Sequence, residues 1–414
     1  MPVETQTICP DAPAALAEWA RAQGYSRISL VCDDRTWAVL GAAVRKRLVA
    51  DSANVQVIRL AGPEVVADEA RIVEILLAVA APDDRLYVAI GAGTLCDLTR
   101  FASHRSGRPF VSLPTAPSVD AFTSMNAPLV IRGLKLTIDA QQPLAVFADI
   151  DVLCAAPPQM IAAGAGDVLG KFTALADWRL AALLWDEEID EDIVADMDGA
   201  VRAVAGAAEG IGRREPEAIA KLMRALLDSG EAMARWRNSR PASGSEHHLS
   251  HYWETMRLLR GQPALLHGAK VGVGSVLMAR AYERLRAISR AQAAAMLAAT
   301  PEPDTEAERE TIRSGYGPIA DEVMSAQGDL LPLAPGRWAR LQREILENWD
   351  AIQGIAAEVP APEKVAGMLR AAGAPVKPAE LGISSADVDD ALRYGHYIRD
   401  RFTIRRLERA LGLP

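Results

Sequence analysis

The stretch Ser243-Gly-Ser-Glu-His-His-Leu-Ser-His-Tyr-Trp-Glu254 concentrates groups that bind metals and move protons. Four of the six histidines in the chain (His247, His248, His251 and His267) fall within it or shortly after it. On a helix, His247 and His251 are four apart and share a face. His248 is turned about 100° away by the helical period. Two imidazoles on one face are half a metal site, so a carboxylate and a further nitrogen must come from elsewhere. His267, in Leu-Leu-His-Gly-Ala-Lys-Val-Gly-Val-Gly, is the natural further nitrogen. Asp167, in Ala162-Ala-Gly-Ala-Gly-Asp-Val-Leu-Gly, is the candidate carboxylate, although a lone aspartate there reads as a helix cap. Asp167, His247 and His267 would supply one oxygen and two nitrogens and leave positions open, as a catalytic metal requires. His251 would then hydrogen-bond a substrate hydroxyl. Spacing equally allows His251 as the ligand and His247 as its neighbour. The run lacks the glutamate of His-Glu-x-x-His, which disfavours a zinc peptidase.

Three further stretches carry candidate binding groups. Gly91-Ala-Gly-Thr94 follows a predicted strand and opens a helix, where backbone N–H groups can approach a pyrophosphate. An ordinary tight turn has the same composition, and position 96 is cysteine, so the full GxGxxG fingerprint is absent. Asp33 ends the first predicted strand, where a carboxylate can accept from a ribose diol or cap the following helix. Pro114-Thr-Ala-Pro-Ser-Val-Asp120-Ala-Phe-Thr-Ser124 gathers hydroxyls and one carboxylate beyond another strand, with the composition of a ligand loop or of a simple turn.

The elements that must position these groups fall into two halves. Apolar runs at 27–32, 54–60, 85–90, 109–113 and 144–148 predict strands, with helices at 14–23, 33–50, 64–81 and from Gly91 to His104. Residues 127–131 and 135–138, joined across 132–134, predict a hairpin. Strand and helix in alternation predict a parallel sheet with helices on both faces. From Ala155 onward the β-branched runs vanish and helical spacing continues to the end. The expected division is therefore an α/β domain over 1–155 and an all-helical domain over 156–414. A chain of 414 residues, 50% hydrophobic and 24% charged, suits two such domains. The net charge of −9 argues against nucleic-acid and anionic-membrane partners. Cys9, Cys32, Cys96 and Cys154 form no CxxC pair and read as reduced thiols. With no basic-then-apolar leader and no apolar run of membrane length, a cytoplasmic location is expected. The Ala-rich helical half offers surface for self-association.

Several motifs occur together and in order: Gly91-Ala-Gly-Thr-Leu-Cys-Asp97, Ser112-Leu-Pro-Thr-Ala-Pro-Ser-Val-Asp120, Ala163-Gly-Ala-Gly-Asp167 and Ser243-Gly-Ser-Glu-His-His-Leu-Ser-His251. They are followed by His267-Gly-Ala-Lys-Val-Gly-Val-Gly and Ile398-Arg-Asp-Arg-Phe-Thr-Ile404. Together they resemble the sn-glycerol-1-phosphate dehydrogenases, within the superfamily of iron-type alcohol dehydrogenases, glycerol dehydrogenases and 3-dehydroquinate synthases. The resemblance implies a nucleotide-binding α/β domain, a helical metal- and substrate-binding domain, and a metal in the cleft between them. It implies a hydride transfer between NAD or NADP and glycerol phosphate or dihydroxyacetone phosphate. By position it makes Gly93, Thr94, Leu95, Cys96 and Asp97 the pyrophosphate turn, and Thr115, Ser118 and Ser124 further dinucleotide contacts. It makes Asp120 and His251 substrate contacts, and Asp167, His247 and His267 ligands of one divalent ion, which zinc, nickel or iron would suit. Asp33 matches an acidic residue that favours NAD by repelling a 2′-phosphate. The family usually has Gly-Gly-Gly-Ser/Thr where this chain has Gly-Ala-Gly-Thr, a mild change if the alanine keeps a negative φ. The same motifs also fit a polyol dehydrogenase acting on an unphosphorylated substrate. A lyase of the 3-dehydroquinate synthase type would bring glutamate to the metal.

Overall fold

Buried strands that alternate with helices need connections long enough to cross a sheet, and the first half of the chain supplies them. The computed structural model describes residues 3–62, 65–79, 84–132 and 134–413. Its strands are β1 (Thr5–Cys9), β2 (Arg27–Asp33), β3 (Asn54–Leu60), β4 (Leu86–Ile90), β5 (Phe110–Leu113), β6 (Asn126–Ile131), β7 (Leu134–Asp139) and β8 (Ala145–Asp149). Six form a parallel sheet in the order β1-β8-β5-β4-β2-β3, and β6 and β7 pair separately as an antiparallel hairpin. β4, β5 and β8 are buried along their whole length, which is why they read as continuous apolar runs. Leu30, Val88, Val111 and Phe147 from the sheet share a core with Leu16 and Val44 from the helices Ala12–Ala22 and Ala42–Ala50. Each such side chain contributes about 1.5–3 kcal/mol when fully buried.

The order of the strands creates a switch point. From β2 the chain steps outward to β3, then crosses back to β4 on the other side of β2. β2 and β4 stay in register as far as Val31 opposite Ala89. Two residues further on lie Asp33 and Gly91, at the carboxyl ends of the two strands. Ligands of open parallel sheets bind at such a reversal.

The edge strand β1 had no counterpart among the predicted strands. Thr5-Gln-Thr-Ile-Cys is half-buried throughout and pairs on one side only, with β8, so it lacks the apolar run of an interior strand. The helix predicted over 64–81 is present as Glu69–Ala78, capped by Asp68, whose carboxylate accepts from the Arg71 N–H. Glu64 and positions 80 and 81 of that expectation lie outside the described residues, as does Gly133 of the hairpin turn.

Contacts group residues 1–168 and 203–238 in one unit, and residues 169–202 and 239–414 in another. The first holds the sheet and, from beyond the strand-bearing region, the helices Ile150–Ala155, Pro158–Leu169, Ala208–Gly212 and Pro216–Trp236. All secondary structure described in the second unit is helical. Its long helix His267–Arg286 packs against Ser245–Leu259, Trp349–Glu358 and Pro362–Ala371. A Cβ on Gly274 would meet the Glu246 carbonyl at 2.7 Å, so glycine lets the helices bearing His267 and His247 approach at backbone distance. Among the described residues, no helix is long and apolar enough to cross a membrane.

Candidate functional site

The turn after β4 is built to leave backbone donors open. Gly91 is tied to the neighbouring strand by its N–H to the Leu113 carbonyl (3.1 Å), and its own carbonyl accepts from Thr115 (3.3 Å). A Cβ at Gly91 would fall 2.3 Å from the Leu95 side chain, so no larger residue fits without moving Leu95. Ala92 is the N-cap, with φ −89°, and provides no side-chain cap for the helix Gly93–Arg105. The negative φ makes alanine harmless there. The first N–H groups of this helix are therefore available to an anion, at the positive end of the helix dipole.

Of the residues matched to the pyrophosphate turn, Gly93, Thr94 and Leu95 form the first turn of the helix. Cys96 and Asp97 are differently placed. The Cys96 N–H returns to Ala92 (3.1 Å), and its buried thiol lies 3.7 Å from the Ser112 hydroxyl. Asp97 pairs with the fully buried Arg100 at 2.7 Å, and Arg100 also donates to the carbonyls of Phe122 and Asn126. Their side chains thus brace the loop after β5. Ser118 and Ser124 are buried in that loop and Thr115 is half-buried, with the Ser124 hydroxyl donating to the Asn126 carbonyl at 3.2 Å. Asp33 serves as the N-cap: its Oδ1 accepts from the N–H and hydroxyl of Thr36 at 2.7 and 2.9 Å. Its Oδ2 takes no hydrogen bond among the described residues, so capping and sugar binding are compatible.

The same loop carries Asp120 to Asp167. The Asp120 N–H donates to Asp167 Oδ2 (3.2 Å), and Asp120 Oδ2 accepts from the Ser229 hydroxyl (2.8 Å). Asp167 is completely buried near the end of the helix Pro158–Leu169. Gly164 allows this: a Cβ there would sit 1.8 Å from the Pro117 carbonyl oxygen, so the helix lies directly on the loop.

In the helical unit, His247 and His251 lie on one face of Ser245–Leu259, as their spacing requires. His267 begins its own helix beside them. The ring centroids are 5.2 Å apart for His247 and His267, 5.7 Å for His251 and His267, and 6.0 Å for His247 and His251. His248 points away into the interior, where neither ring nitrogen has a hydrogen bond among the described residues. Burial, reinforced by Arg401, Arg399 and Arg240, pushes its imidazolium well below the ordinary value, so it is neutral. Burial likewise pushes His251 down to about 3, against the pull of Glu254 and with the help of Arg399. Neutral imidazole is the form that ligates metals and can both accept and donate a proton.

Glu246 fixes the orientation of His247. Its Oε1 lies 2.7 Å from His247 Nδ1, and the carboxylate also accepts from the Gly244 N–H (2.7 Å) and the Thr173 hydroxyl (2.6 Å). Burial alone would raise the Glu246 carboxyl, but these partners together hold it below its ordinary value. An anionic partner on Nδ1 sets the tautomer that leaves Nε2 as the lone-pair donor. The helix start is held in turn by the buried Asp177, which accepts from the N–H and hydroxyl of Ser245 at 2.7 and 2.6 Å. Asp177 also accepts from Tyr282 and from the Ile404 N–H. Burial and the Glu246 charge push Asp177 up to about 6, which leaves it ionised at neutral pH.

His247 and His267 offer two imidazole nitrogens from neighbouring helices of one unit, and Asp167 of the other unit is the candidate carboxylate. One carboxylate oxygen and two imidazole nitrogens are a donor set that zinc, iron and nickel accept. His251 is not in that group, although its ring neighbours both histidines.

Residues 7–157 match the family model for iron-containing alcohol dehydrogenases. The chain is 36% identical over 409 residues to a glycerol-1-phosphate dehydrogenase [NAD(P)+] of Geobacillus stearothermophilus, covering 98% of this chain and 92% of that relative. It is 36% identical over 407 residues to the protein of the same name from Geobacillus thermodenitrificans, covering 97% and 91%. The chain belongs to the glycerol-1-phosphate dehydrogenase family. Its fold is that of the wider superfamily: a probable glycerol dehydrogenase from Sinorhizobium meliloti superposes with a TM-score of 0.61 at 17% identity, over 99% of this chain and 96% of that one.

Within this member of the glycerol-1-phosphate dehydrogenase family, Ser229 and Glu246 are positioning residues that motif reading did not single out. Ser229 lies 109 residues from Asp120 in an ordinary amphipathic helix, so nothing local marks it. Glu246 directly precedes His247, and helix geometry points adjacent side chains about 100° apart. The signal for Glu246 was available only in combination: a glutamate beside a metal-ligating histidine at the first turn of a helix, where its carboxylate can bond backward to the start.

Proposed function

We propose that this protein is a metal-dependent, NAD(P)-linked oxidoreductase that interconverts dihydroxyacetone phosphate and sn-glycerol 1-phosphate. The observation that carries the reading is the cluster of His247, His251 and His267, with ring centroids 5.2 to 6.0 Å apart, in a chain related over nearly its whole length to enzymes named for that substrate. The residues fit a divalent ion: the donor set is mixed oxygen and nitrogen, and Glu246 turns the Nε2 of His247 toward it. When bound, the ion supplies Lewis-acid polarisation of the substrate oxygen, and the dinucleotide supplies or accepts the hydride.

The chain's own residues do the rest. The open N–H groups after Gly91 bind the pyrophosphate, with Thr115, Ser118 and Ser124 along the same loop. Asp33 Oδ2 accepts from the ribose diol and favours NAD over NADP by repelling a 2′-phosphate. Asp120, held by Ser229, and neutral His251 orient the substrate hydroxyls, and His251 Nε2 or Nδ1 carries the proton that accompanies hydride transfer. The reading includes a small-molecule substrate, no nucleic-acid or membrane partner and a cytoplasmic location, supported by the net charge of −9. It also includes self-association, supported by exposed apolar Val73, Leu76 and Leu77 on the helix Glu69–Ala78.

The direct test is NADH oxidation with dihydroxyacetone phosphate and with dihydroxyacetone in parallel, before and after chelation and metal add-back. Turnover of the phosphorylated ketone that chelation removes and metal restores is the expected result. Turnover of neither ketone, or turnover indifferent to chelation, rejects the reading. Glu246→Gln is expected to weaken metal retention by about ten- to a hundredfold, as loss of an orienting carboxylate does at other histidine sites. Competition with a chelator measures this; unchanged retention would remove Glu246 from that role.

A further inference from the structure

Resting on that substrate reading, we propose that Arg399, backed by Arg401, binds the phosphate monoester group of the substrate beside His251. The position of Arg399 follows from how its segment is pinned. The turn Gly395–Tyr397 packs on the helix Ser245–Leu259, so closely that a Cβ on Gly395 would lie 3.5 Å from the His248 carbonyl oxygen. Six residues later, Arg401 donates to the Ser243 carbonyl (2.8 Å) and the Ser239 hydroxyl (3.0 Å), just ahead of the same helix. Arg240 then ties the next residue by donating to the Phe402 carbonyl at 3.1 Å. The segment therefore runs along the first turns of the helix that carries His247 and His251, and Arg399 lies between its two anchors.

The charge balance there calls for an anion. Arg240 is paired with Glu187 at 2.8 Å. Lys270 lies 3.4 Å from Glu254, the carboxylate that also faces His251. Glu246 is committed to His247, Thr173 and Gly244. Arg401 bonds to a carbonyl and a hydroxyl, both neutral. The Arg399 side chain has no hydrogen bond or ion pair among the described residues, and the residue is half-buried. Burial lowers its guanidinium from the ordinary value with no carboxylate to counter it, and its charge acts on both His248 and His251. Desolvating a guanidinium without a partner is costly, and a phosphate dianion is the ligand whose geometry and charge match its fork. The dinucleotide's pyrophosphate has its own donors after Gly91, which leaves this cation for the substrate.

The test uses the full-length, metal-loaded protein with Arg399→Leu, and Arg399→Gln should the leucine variant fail to fold. The expected result is a rise of about a hundredfold in KM for dihydroxyacetone phosphate, with the KM for NADH and the rate with dihydroxyacetone little changed. Isothermal titration with inorganic phosphate as the probe should show binding to the unaltered chain that the variant loses. If the unaltered chain does not reduce dihydroxyacetone phosphate yet phosphate binding depends on Arg399, the anion site stands and the substrate reading falls. If the ketone is reduced but its KM and phosphate binding are the same in the variant, the assignment of Arg399 is overturned.

Discussion

Asp167→Ala is expected to yield a folded protein that retains no stoichiometric metal and has lost turnover by more than about a thousandfold. The carboxylate is the only anionic member of the proposed donor set, and two neutral imidazoles hold a divalent ion far less firmly. Asp167 accepts from the Asp120 N–H, and leaving that donor unpaired costs about 1–3 kcal/mol, which a fold of this size should survive. Relief of a fully buried carboxylate offsets part of this in the metal-free state. Metal analysis after gel filtration, together with a denaturant melt, separates the two effects. A variant that keeps one ion per chain would contradict the ligand assignment.

His251→Ala is expected to do the reverse: keep the metal and lose about a hundred- to ten-thousandfold in kcat, the range for loss of a proton-transferring side chain. Its ring lies 5.7 and 6.0 Å from those of His267 and His247, near enough to touch a substrate held there. Burial pushes its imidazolium down to about 3, so the ring is neutral and can accept a proton on one nitrogen while donating one from the other. Retention of kcat would exclude it from the reaction. Loss of metal would show that it is a ligand, the alternative that spacing alone left open.

What was legible in the sequence depended on how far each residue's role is written locally. β2 through β5 and β8 were readable because buried parallel strands need unbroken apolar runs. β1 was not, since Thr5-Gln-Thr-Ile-Cys is half-buried on an edge and its polarity matches a loop as well as a strand. His247, His251 and His267 were readable because few residue types bind metals and four of six histidines cluster. Helical spacing also explained why His248 stands apart. Asp33 could be read as cap or as sugar acceptor, and its Oδ1 takes the cap. Cys96 and Asp97 were placed at the turn by motif position alone. The motif fixes a backbone turn, while the Cys96 side chain packs under Ser112 and Asp97 serves Arg100. Ser229 was beyond reach because its bond to Asp120 joins residues 109 apart, and serine is too common to mark.

The central claim is tested most directly by the chirality of the product. Dihydroxyacetone phosphate and NADH are incubated with the metal-loaded protein, and the glycerol phosphate formed is assigned with enantiospecific enzymes. The account predicts sn-glycerol 1-phosphate alone, with none formed after chelation. Formation of sn-glycerol 3-phosphate, or equal yield from the chelated protein, would contradict it.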